Sequence, residues 1–113
     1  MPEPIKYDEI IESLLEKTDQ GKVSWSQVFS TNSFTCTLDG EFTFRVDKWR
    51  DRDEDTWVRL SMTDKENNEI FQVERIESNL GGKKLSNLHE AARRTALNVD
   101  EKINAVKNIL GRI

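Results

Sequence analysis

Two short segments around Asp39-Gly40 limit the fold of this chain more than any other feature. Phe34, Cys36 and Leu38 alternate with Thr35 and Thr37 before that pair, and Phe42, Phe44 and Val46 alternate with Thr43, Arg45 and Asp47 after it. A period of two puts each apolar set on one face of an extended strand. Asp-Gly accepts the positive φ angles that a two-residue hairpin turn demands. The prediction is a β-hairpin with strands near residues 33–38 and 41–48. A hairpin with one apolar face has to be extended by more strands and covered by helices.

The rest of the chain supplies both. Trp57–Thr63 reads as a further strand, with Val58, Leu60 and Met62 on one face and Trp57, Arg59 and Ser61 on the other. Asp64–Asn68 turns the chain into a fifth strand over 69–76, whose parity is divided between Phe71/Val73 and Ile70/Ile76. A first strand is expected over 22–29, because Val23, Trp25 and Phe29 share one parity.

Helices flank this β-rich region. Ile10, Ile11, Leu14 and Leu15 form one apolar stripe over residues 5–18, and Gly21 lies just past the end. Gly81-Gly82 reads as a breaker before the tail. Asn87 with Glu90, or Ser86 as the rival cap, is expected to start the next helix. Asn98 stops that helix in a left-handed conformation, and Asp100 caps another with Ile103, Val106, Ile109 and Leu110 on its apolar face. The sum is one α+β domain over residues 1–113: an N-terminal helix, a five-stranded antiparallel β-meander and two C-terminal helices packed on one face.

The stretch Leu88-His89-Glu90-Ala91-Ala92-Arg93-Arg94-Thr95-Ala96-Leu97-Asn98-Val99-Asp100-Glu101 resembles one found in short bacterial proteins of unknown function. The likeness extends to the opening helix and the aromatic, β-rich stretch behind it. It implies the same order of elements and brings no catalytic residue.

Composition narrows the function by exclusion. Met-Pro-Glu-Pro-Ile-Lys lacks the basic start and apolar run of a secretory signal, and no apolar stretch approaches the ~18–20 residues of a membrane span. A single cysteine, Cys36, forbids an intrachain disulfide and fits a reducing cytoplasm. The net charge of −4 argues against nucleic acid as a partner. Residues 1–80 hold 10 Lys/Arg against 18 Asp/Glu, a balance of −8, whereas residues 81–113 hold 7 against 3, a balance of +4. A basic tail folded onto an acidic body explains that asymmetry; the rival is an anion- or nucleic-acid-binding site on the basic C-terminal helices, formed by Lys83, Lys84, Arg93 and Arg94.

No chemical motif is complete. Asp51-Arg52-Asp53-Glu54-Asp55 begins like a calcium loop, but the required Gly and Glu are Thr56 and Met62. Gly81-Gly82-Lys83-Lys84 lacks the leading glycine of a phosphate loop, Glu77 standing there. His89 and Cys36 are too few ligands for zinc. Cys36 alternates with Phe34 and Leu38, as a buried, inert thiol would. No serine has the G-x-S-x-G setting of a nucleophile elbow. No metal, cofactor or small-molecule ligand is implied; a carboxylate enzyme using Asp51–Asp55 is the rival reading from another class. What stands out is the parity opposite the core in the third and fourth strands, which carries Arg45, Trp49, Trp57 and Arg59. Trp and Arg are interface-anchoring residues. The plainer account is that Trp49 closes a strand end and Trp57 packs on arginine stems. These four residues point to a protein–protein interaction module, with a protein partner or self-association.

Overall fold

The computed structural model describes residues 5–113; Met1–Pro4, read above for a secretory signal, lie outside them. The elements follow as α1 (Ile5–Asp19), β1 (Ser26–Gln27), β2 (Ser33–Leu38), β3 (Phe42–Arg50), β4 (Thr56–Asp64), β5 (Glu69–Ile76), α2 (Leu80–Ala96) and α3 (Val99–Leu110). The five strands form one antiparallel sheet in sequential order. This is the α+β meander that strand alternation and turn chemistry predict.

Asp39 (φ 55°) and Gly40 (φ 66°) both lie in the left-handed region, and the Glu41 N–H donates to the Leu38 carbonyl at 3.0 Å. That is the turn Asp-Gly favours. Glu41 enters as one extra residue, so Leu38 pairs with Phe42. The β3–β4 and β4–β5 hairpins share a different tip. Asp51 Oδ1 accepts the N–H groups of Asp53 (2.9 Å) and Asp55 (3.0 Å), and Asp64 Oδ1 accepts those of Glu66 and Asn68, both at 2.9 Å. In each, the fourth residue turns left-handed, Glu54 and Asn67 alike at φ 66°. Aspartate suits this role because its short carboxylate reaches the backbone two residues on.

The inner face of the sheet carries Phe34, Cys36, Phe44, Val46, Val58, Leu60, Phe71 and Val73, all buried against Ile11 and Leu14 of α1 and Leu85, Leu88 and Ala92 of α2. The parity of β5 is thereby resolved: Phe71 and Val73 face inward, Tyr7 stacks on Phe71 at 4.6 Å, and Ile70 is half exposed. At the open end of this face two cations tie strands to helices. Lys48 Nζ meets Glu77 at 2.6 Å and Ser86 at 3.1 Å, while Arg75 meets Asp8 at 2.7 Å and the Gly81 carbonyl at 3.0 Å.

Four expectations need correction. The first strand is only Ser26–Gln27: Val23 and Trp25 are buried, but Phe29 is 91% exposed at φ 52° in a turn. A hydrogen bond from Trp25 Nε1 to Thr18 Oγ1 at 2.9 Å pins the segment to α1 instead. Gly81-Gly82 does not break the chain, because α2 already begins at Leu80 and Ser86 and Asn87 lie inside it. A Cβ on Gly82 would stand 1.8 Å from the Ile76 carbonyl oxygen, so the glycine is there for close approach. Asp100 is not the cap of α3: Asn98 (φ 51°, ψ 47°) holds that position, and Asp100 pairs with Arg94. Finally, α2 covers the sheet but α3 does not. No residue of α3 is buried, and it packs chiefly on the end of α2. The radius of gyration is 15.6 Å and the longest extent 58 Å, against about 13 Å expected for a compact domain of this length.

Candidate functional site: the open face of the sheet

Both long helices lie on one side of the sheet, and among the described residues no helix covers the other side. Register builds that face in rows. Trp49 pairs with Trp57, and Trp57 with Ile76, making an aromatic ledge at one end. The next row reads Ser33, Asp47, Arg59, Glu74 across four strands, and the one beyond it Thr35, Arg45, Ser61, Gln72.

Asp47 organises the face. Its side chain is only 7% exposed. Oδ1 accepts from Ser33 Oγ and from Arg45 Nε at 2.8 Å, and Oδ2 accepts from Arg59 Nε at 3.2 Å. Burial alone would raise its pKa. The Ser33 hydroxyl and the Arg45 and Arg59 guanidiniums outweigh burial, holding the carboxyl below the usual aspartate range. Arg59 also reaches Glu74 at 3.6 Å and sits over the Trp49 ring at 5.2 Å, within cation–π range. Trp49 and Trp57 lie nearly parallel, 11° apart with centroids at 6.5 Å. Trp57 is fixed further, since its Nε1 donates to Asp51 Oδ2 at 2.7 Å.

The structure therefore brings Arg45, Trp49, Trp57 and Arg59 together on one solvent-facing surface. The two tryptophans differ in exposure. Trp49 is 36% exposed, whereas Trp57 is half-buried with its N–H already bonded. Asp47 and Ser33 were missed by sequence reasoning. Their signal was present in part, because Asp47 shares the parity of Arg45 and Trp49, but its partners on β2 and β4 appear only with register.

The basic residues of α2 form no common site. Lys83 and Lys84 stand ten residues from Arg93 and Arg94, about 15 Å along a helix. Lys84 pairs with Glu12 at 2.6 Å, Arg93 with Glu90 at 3.1 Å, and Arg94 with Asp100. In the acidic loop, Asp51 spends both oxygens on the hairpin tip and Trp57, which lowers its pKa. Among the described residues no three His, Cys, Asp or Glu side chains converge as metal ligands. Burial pushes the Cys36 thiol up to about 12, and His89, buried on α2, meets the Asn32 carbonyl through Nε2 at 2.9 Å. Among the described residues, no helix is long and apolar enough to cross a membrane. No protein-family model matches the chain, and no curated protein or solved structure is significantly similar to it.

Proposed function

We propose that the protein is a single-domain, non-catalytic interaction module that binds another protein through the open face of its sheet, in a reducing, cytoplasmic setting. The observation that carries this reading is the locked Trp49–Trp57–Arg59 stack over the buried Asp47. A surface held in one conformation before binding loses little side-chain entropy on binding. The composition of the face indicates what it accepts. An apolar or aromatic side chain fits the Trp49 ledge, and a carboxylate beside it fits Arg45, whose side chain is 46% exposed.

The test is a pair of variants, Trp49→Ala and Arg45→Glu, used as bait beside the wild type in quantitative affinity capture. Loss of a central interface tryptophan costs about 2 kcal/mol or more, roughly a thirtyfold weaker complex. Trp49→Ala should lose the proteins that the wild type retains while keeping its thermal melt. An unchanged capture profile for both variants refutes the reading.

A further inference from the structure

Among the described residues, nothing covers most of the apolar seam of helix α3. Val99, Ile103, Val106 and Leu110 recur at spacings of four, three and four, the a/d pattern by which helices pair, and Ile113 follows three residues on, past the helix end. Ile103, Val106, Leu110 and Ile113 are 45%, 53%, 63% and 94% exposed, with Ile109 beside them at 48%. Near the α2 end the seam becomes one wall of a groove whose other wall is Arg93 and Leu97. The bend that opens this groove is built in, by left-handed Asn98 and by the Arg94–Asp100 ion pair.

Charge identifies the occupant. Asp100 and Glu101 lie in the first turn of α3, while Lys107 lies in the last and Arg112 just beyond it. A second α3 laid antiparallel sets each acidic end against the other's basic end, twice over, and opposes the two helix dipoles. Pairing Ile103 with Val106 of the second copy also pairs Val99 with its Leu110 and brings Asp100 beside its Lys107. Parallel pairing instead lays Lys102 of one copy beside Lys107 of the other, a like-charge contact.

We infer that α3 is a self-association helix, pairing antiparallel with α3 of a second copy of this chain. The surface lies apart from the open face of the sheet, so this inference is independent of the function proposed above. A twelve-residue helix is about 18 Å long, short for a helical pair, so the dimer dissociates in the micromolar range.

Sedimentation equilibrium of the full chain across that range tests it. The wild type should pass from monomer to dimer, and Val106→Glu and Leu110→Glu should remain monomeric with unchanged thermal melts, since both side chains are exposed. Trp49→Ala should dimerise as the wild type does. Orientation is read by disulfide formation between Ile103→Cys and Val106→Cys proteins, the native Cys36 being buried. The mixture should cross-link faster than either variant alone. A wild type monomeric throughout, a dimer that survives Val106→Glu, a dimer lost in Trp49→Ala, or preferential cross-linking of each variant with itself would each overturn the inference.

Discussion

Gly82→Ala should be the most damaging single-methyl change on the surface between α2 and the sheet. The added Cβ would lie 1.8 Å from the Ile76 carbonyl oxygen, 2.6 Å from its carbonyl carbon and 3.1 Å from Glu77 Cα. All three atoms are backbone at the end of β5, so no side-chain rotation relieves the overlap. The start of α2 has to move away by more than an ångström. That movement loosens the bond from Arg75 to the Gly81 carbonyl and disturbs Leu85, Leu88, His89 and Ala92 on the same helix. Overpacking costs about 1–3 kcal/mol even where neighbours yield, so this site belongs at the top of that range. Alanine's better helix propensity returns less than about 1 kcal/mol. The net loss should be about 2 kcal/mol or more, lowering Tm by roughly 8–10 °C for a chain of this size. Thermal and urea unfolding followed by circular dichroism measure it, with Gly81→Ala as the control. There the nearest atom is the Arg75 Nη1 at 3.0 Å, the movable end of a side chain, and the cost should stay below about 1 kcal/mol. If Gly82→Ala melts within about 2 °C of the wild type, the close packing of α2 on the end of β5 is refuted.

Other predictions concern charge and the hairpin tips. Asp47→Asn should cost about 1–3 kcal/mol, because Arg45 and Arg59 lose their shared carboxylate while remaining partly solvated; unchanged urea midpoints would count against a structural role. The folded-state pKa of Asp47 is lowered, so its contribution is complete above the unfolded value of about 3.9 and fades as pH falls through the folded value. The acid limb of the pH–stability curve should accordingly be shallower in Asp47→Asn. Burial likewise lowers the pKa of His89, only partly opposed by the Asn32 carbonyl. The unfolded chain then binds the extra proton first, and stability should begin to fall as pH drops below about 6.5; a His89→Gln variant with the same slope there would refute this. Asp51→Ala removes the acceptor of the Asp53 and Asp55 amides and of the Trp57 indole, and should lower the urea midpoint and shift the tryptophan fluorescence. Calcium should produce no saturable heat with the wild type in titration calorimetry, because Asp51 is already engaged.

Local pattern alone determined the hairpin at Asp39-Gly40, the inward set Phe44, Val46, Val58 and Leu60, and the helix break at Asn98. Each follows from the chain's own periodicity or from one residue's backbone preference, with no need for a distant partner. The presence of Arg45, Trp49, Trp57 and Arg59 on one face was legible for the same reason, since parity within a strand is local. Tertiary structure decided the rest. Gly81-Gly82 has the composition of a breaker, and only the approach of Ile76 makes Gly82 a helical packing residue. Phe29 shares the parity of Val23 and Trp25, yet Trp25 bonds to Thr18 and the chain turns away before a long strand forms. Asp47 became the centre of the open face through register, which sets Ser33 on one side of it and Arg59 on the other. The apolar stripe of α3 reads in the sequence like that of any core helix. Whether such a stripe meets a sheet or stands uncovered depends on the direction in which Asn98 sends the helix, a property of the assembled fold and not of the stripe.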